Sequence, residues 1–201
     1  MSAPVRFTEE MKGFCTFGTT DHRAGWKEGK ASSTSLMFHL TISVDDLGRF
    51  RADPLHGAQA TGWIRCQALS SGNLPVTRGV FNLFVPGKSP GRTTMRYRLW
   101  FSDGAGRPLT LVGFKDIGDD PGLDLWSDTT SLATSILDGH VDEGDDSTAS
   151  LRARGVLVIR PLDFAKQITT FRGPPAGVAG FAWLFMKTLW HTYRTRTRRS
   201  R

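Results

Sequence analysis

The residues Leu36, Phe38, Leu40, Ile42 and Val44 alternate with His39, Thr41 and Ser43. A period of two fits an extended strand with one buried face and conflicts with a helix, whose apolar stripe recurs every three or four residues. Met95, Tyr97, Leu99 and Phe101 repeat the pattern against Arg96 and Arg98. Six further runs read as strands: Phe7 to Phe17, Gly57 to Leu69, Val76 to Val85, Leu109 to Lys115, Thr129 to Leu137 and Leu151 to Ile159.

The connections are mostly short and rich in Gly, Pro, Asp and Ser, as turns between strands are. Thr19 to Ser33 reads as a polar connection and Asp45 to Pro54 as a short capped helical turn. Pro161 opens a helix with Phe164, Ile168 and Phe171 on one face, stopped by Gly173, Pro174 and Pro175. Eight strands without long intervening helices predict a mainly β chain: an antiparallel, up-and-down, eight-stranded β-barrel of lipocalin-like kind. A two-sheet β-sandwich is the alternative. Gly13, Gly62, Gly79, Gly113 and Gly155 each precede a large apolar residue inside a strand. Glycine there permits the coiling a closing sheet needs.

The 201 residues suit one domain, with the barrel over 1–172 and an apolar helix with a basic tail over 173–201. The net charge of +7 is local: Lys187, Arg194, Arg196, Arg198, Arg199 and Arg201 account for most of it. The part before residue 176 is nearly neutral, which argues against specific nucleic-acid binding. The apolar run Ala176 to Met186 is 11 residues, against about 20 for a bilayer span. Val178, Ala182, Phe185, Leu189 and Tyr193 form a helical stripe, with Trp183 and Trp190 on a neighbouring face. Such a helix either caps the barrel or lies on an anionic membrane surface, its arginines at the headgroups.

Cys15 and Cys66 lie in separate strands without metal-ligand spacing, and two reduced, half-buried thiols are expected. The start, MSAPVRFTEEMKGF, lacks a basic segment followed by an apolar run, so the expected location is cytoplasmic, with the tail at the inner membrane surface.

Motif-like strings carry little chemistry. GWKEGK, at 25–30, is spaced too tightly for a phosphate loop and Ala31 stands where Ser or Thr is required. Gly87 to Gly91 matches a GxSxG string but joins two antiparallel strands rather than a strand and a helix. The five histidines never occur as HxH or HxxxH, and His39 faces away from the apolar side of its strand.

Lys115 ends the series Leu109, Leu111, Gly113 and points into the barrel if that face is interior. Beside Asp128 it would be a paired structural charge or, in an enzyme, half of an acid–base couple. Asp119, Asp120, Asp124 and Asp128 surround Trp126 in one loop. Their carboxylates either cap backbone amides or chelate calcium, without the spacing of an EF-hand.

FTEEMKGF, DDLGRF, GVFNLFV, MRYRL, GFKDIGDDPGLDLWSDTTSL and RGVLVIRPLDFAKQITTF together resemble a domain of long bacterial fusion proteins that contain a glucose-methanol-choline oxidoreductase of cholesterol-oxidase type. The resemblance runs from about Phe7 to Phe171 and implies association with sterol or lipid oxidation. Flavin chemistry does not carry over, because this chain has no GxGxxG after a strand, and no cofactor is expected.

The expected function is that of an accessory or binding protein for an apolar, sterol-like or other lipid ligand, with a flavin-dependent sterol oxidase as partner. Phe38, Leu40, Ile42, Tyr97, Leu99 and Leu157 would line the lumen, and Trp126 would stand at the loop. Two alternatives stand beside it. One is an isomerase or lyase using Lys115 and Asp128; the other is an adaptor docked to a membrane or protein through Trp183, Trp190 and the terminal arginines.

Overall fold

The computed structural model describes residues 4–86, 93–117, 131–159, 167 and 169–194. It contains β1 (Val5–Phe17), β2 (Ser35–Val44), β3 (Gly57–Cys66), β4 (Leu74–Pro75), β5 (Arg78–Pro86), β6 (Thr93–Ser102), β7 (Pro108–Ile117), β8 (Ser131–Asp138) and β9 (Leu151–Val158). Its helices are α1 (His22–Ala31), α2 (Leu47–Ala52) and α3 (Pro175–Arg194).

Each long strand pairs antiparallel with its chain neighbours, and the β1–β9 and β2–β3 ladders complete the ring. The two-residue β4 pairs with β3 outside the ring. The result is a closed eight-stranded antiparallel barrel with one extra strand. Closure leaves no open edges, which distinguishes it from the sandwich alternative. Alternation is the local cause: the even-numbered residues of β2 from Leu36 to Val44 are buried, while the odd-numbered ones from Met37 to Ser43 are half-buried on the outer wall.

The connection between β1 and β2 differs from expectation, because Thr19 to Ser33 contains the ten-residue α1. Asp21 caps it, accepting a hydrogen bond from the Ala24 amide at 2.7 Å. GWKEGK therefore lies within a helix. Its Gly25 and Gly29 press against the carbonyls of Arg154 and Cys15, where a methyl group would overlap backbone oxygen. A helix docked through glycines has a weak apolar stripe, which is why hydrophobic periodicity misses it. The capped turn over Asp45 to Pro54 is α2, with Asp46 accepting from the Arg49 amide at 2.9 Å.

One barrel end, where β1 begins, is covered by the returning chain. Arg6 and Arg172 exchange backbone hydrogen bonds at 2.9 and 2.8 Å, setting Phe171 against Phe7 with ring centroids 4.9 Å apart. The first half of α3 then brings Phe181 to 5.6 Å from Phe7 and 5.9 Å from Phe50. Phe181 is the buried anchor, whereas Ala182 of the predicted stripe is exposed. Among the α3 side chains described, Gly177 and Phe181 are buried and Val178, Gly180 and Leu184 half-buried, so Val178 of the predicted stripe is on the inner side, while Phe185, Leu189 and Tyr193 lie outside the described side chains. The helix predicted from Pro161 lies largely outside the described residues, although Gln167 and Thr169 are helical.

The strand glycines are places of close approach. A methyl group on Gly155 would run into the Phe14 carbonyl and the Cys15 backbone, whereas on Gly113 it would meet the Leu132 side chain at 2.9 Å. A leucine side chain can turn aside and a ladder carbonyl cannot. Gly155→Ala is therefore expected to lower stability by about 3 kcal/mol and Gly113→Ala by about 1 kcal/mol. Urea denaturation of both variants checks the order; equal midpoints would remove backbone crowding as the reason for Gly155.

Candidate functional site

Among the described residues the barrel interior is mostly apolar, with Thr134 and one charged cluster as its polar groups. The inward residues of β1 are odd-numbered, Val5, Phe7, Met11 and Cys15, and the same parity turns Glu9 inward. β6 contributes Tyr97 and β7 contributes Lys115, placed diagonally on neighbouring strands because Met95 pairs with Lys115 and Tyr97 with Gly113. In the ring β1 is separated from β7 by β8 and β9, so Glu9 meets these groups across the barrel.

Lys115 Nζ donates to Glu9 Oε1 at 3.0 Å and the Tyr97 hydroxyl donates to Oε2 at 2.8 Å. Nζ also lies 5.4 Å from the centre of the Tyr97 ring. Lys115 is 2% exposed and Glu9 3%, so the charges are shielded from water, and among the described residues they are matched by each other and the phenol. Burial, and then the Glu9 charge, push the Tyr97 hydroxyl well above its ordinary pKa and keep it a neutral donor. Phe38 at 5.7 Å and Phe81 at 4.9 Å flank the Tyr97 ring.

Of the sequence-predicted lining, Phe38, Leu40, Ile42, Tyr97, Leu99 and Leu157 are all buried on the inner face of the barrel. Lys115 is inward as expected, and its carboxylate among the described residues is Glu9. Asp128, Trp126 and the proposed calcium ligands Asp119, Asp120 and Asp124 lie outside the described residues. Among the described residues no group of three or more His, Cys, Asp and Glu side chains could hold a metal ion. His39 is on the outer wall, stacked on Trp63 at 5.5 Å and 3.3 Å from Glu10 Oε2.

The cysteines are fully buried rather than half-buried, because both follow the inward parity of their strands at the other barrel end. The two thiols influence each other: interaction with Cys15 holds the Cys66 thiol down to about 7, while interaction with Cys66 and burial push Cys15 up.

Trp183 is 59% exposed on α3, with Lys187 Nζ 4.8 Å from its ring centre. Trp190 and Arg194 belong to the helical backbone of α3, and Arg196, Arg198, Arg199 and Arg201 lie outside the described residues. No described helix is long and apolar enough to cross a membrane.

The barrel and its interior cluster define the chain by architecture: a closed β-barrel with a charged, hydrogen-bonded cluster in a mostly apolar interior among the described residues. Comparisons with protein-family models, curated proteins and solved structures find no match to this chain.

Proposed function

We propose that the protein binds an apolar ligand carrying a single polar group, with the body of the ligand in the lumen and its hydroxyl or carbonyl at Glu9, Lys115 and Tyr97. Sterols and related lipids have this chemistry. Together with the sequence resemblance, it makes an accessory role beside a cholesterol-oxidase-type flavoenzyme our preferred setting. The observation that carries the reading is the buried Glu9–Lys115–Tyr97 cluster. A barrel core does not need it for stability, since apolar side chains of similar volume commonly serve as well as or better than a buried ion pair. A cluster with one carboxylate, one ammonium and one phenol can both donate to and accept from a ligand's polar end.

The same trio suits a second reading, in which Lys115 and Glu9 move a proton on an apolar substrate and Tyr97 steadies the developing charge. One experiment separates the two. The purified protein is incubated with cholesterol, with oleate and with a total lipid extract, and bound and released species are identified by mass spectrometry. Binding predicts a saturable complex with an unchanged ligand. The paired variant Glu9→Gln with Lys115→Met should weaken it at least tenfold, the loss expected for about 1.4 kcal/mol. A chemically altered product that vanishes in Lys115→Met would replace the binder with the enzyme. Neither complex nor product would leave a docking adaptor.

A further inference from the structure

A cavity lies on the outside of the barrel. It is a groove of about 870 Å³ over the outer wall of β5 to β9, overhung by the connection between β8 and β9. Strand register places Arg98, Val112, Ser135 and Arg154 in one row across four neighbouring strands, with Arg96 and Phe114 in the next.

The overhanging connection shows how this wall treats carboxylates. Asp142 pairs with Arg78 at 2.5 Å, Glu143 with Arg96 at 3.2 Å, and Asp146 with Arg98 at 2.7 Å. Arg98 and the Trp100 indole also donate to the Val141 carbonyl, both at 3.0 Å, holding the connection down. The acidic connection thus satisfies one half of the groove.

At the other half, no carboxylate reaches Arg154 among the described residues. One of its Nη groups donates to the Thr20 carbonyl, while its Nε is buried without an acceptor. Beside it, His22 Nε2 shares a 3.1 Å hydrogen bond with Ser135 Oγ, and the His22 ring stands edge-on to Phe114 at 5.6 Å. Partial burial and then the Arg154 charge lower the His22 pKa, while Asp21 raises it. The half-buried Val112 and Phe114 supply an apolar floor between the two halves.

We propose that this groove is a binding site for an amphipathic carboxylate, the carboxylate on Arg154, Ser135 and His22 and the apolar body along Phe114 and Val112 toward Trp100. A guanidinium that no carboxylate of the described residues neutralises, a hydroxyl and an imidazole supply what a carboxylate accepts, and the volume falls in the range of small-molecule sites. Three strand spacings of about 4.8 Å separate Arg154 from the Arg98 end, room for a chain of roughly eight to ten carbons. The site is independent of the lumen and of the function proposed for it.

The probe is octanoate, titrated into the full chain by calorimetry and followed through methyl signals in NMR. Octanoate should move the Val112 methyls and leave those of Leu40 and Leu99 in place. Acetate, which lacks the body, and 1-octanol, which lacks the charge, should each bind at least tenfold more weakly. Arg154→Met should weaken octanoate at least tenfold without changing 1-octanol binding. Val112→Asp, with the guanidinium intact, should do the same to octanoate should the first variant fold poorly. No octanoate binding at millimolar concentration, equal binding by folded Arg154→Met and Val112→Asp, acetate as strong as octanoate, or shifts at Leu40 and Leu99 instead would each overturn the proposal.

Discussion

Lys115→Met is expected to destabilise the barrel by about 3–5 kcal/mol, the cost of leaving one partner of a buried ion pair without the other. Glu9, buried at 3% exposure, then keeps the Tyr97 hydroxyl at 2.8 Å and loses the ammonium at 3.0 Å. For a chain of this size the drop corresponds to roughly 6–20 °C in melting temperature. The paired variant Glu9→Gln with Lys115→Met removes both charges while leaving the phenol an amide oxygen to bond. It should recover all but about 1–2 kcal/mol, since exchange of a whole buried pair for neutral groups is often nearly neutral. A double-mutant cycle in urea measures the coupling. Additive losses would mean that Lys115 and Glu9 do not interact in the folded protein, and the cluster would cease to support a ligand site.

The sequence makes one half of that cluster readable. Lys115 follows Leu109, Leu111 and Gly113 on one face, so an apolar series ending in a lysine announces an inward charge. Glu9 escapes because Glu9 and Glu10 are adjacent and either could be the solvent-facing one. Parity with Phe7, Met11 and Cys15 resolves this in favour of Glu9 and was available as a signal. What no local pattern carries is the pairing itself, because it joins strands on different sides of a closed ring.

The same distinction runs through the rest of the fold. Strands announce themselves by alternation within a few residues, and Asp46 before Leu47 marks α2 by a capping rule that acts locally. α1 is hidden because its inner face is Gly25 and Gly29, whose docking depends on the backbones of β1 and β9. The outer groove depends on still more distant information, since Arg98 and Arg154 share a row only through the registers of three ladders. Its acidic cover also reads as an ordinary turn until those arginines are placed beneath it.

Phe181→Ala is expected to cost about 3–4 kcal/mol, whereas Trp183→Ala, two residues along the same helix, should change stability by less than about 0.5 kcal/mol. The contrast follows from where the rings go. Phe181 is buried among Phe7, Phe50 and Phe171, with centroids 5.6 to 5.9 Å away, so its removal leaves a void at the covered barrel end. The contact is reinforced by Arg51, which donates to the Gly180 carbonyl at 2.7 Å and ties α2 to α3. Trp183 is mostly exposed and meets Lys187, so its loss vacates surface rather than core. The membrane-docking alternative needs that outer face: Trp183→Ala should then reduce sedimentation with anionic vesicles at an unchanged melting temperature. Phe181→Ala should instead lower the melting temperature and raise binding of a fluorescent apolar dye as the barrel end loosens. A stable Phe181→Ala protein that binds no more dye than the parent would mean that α3 is not the cap. Vesicle binding unaltered by Trp183→Ala would remove the exposed indole from any membrane contact.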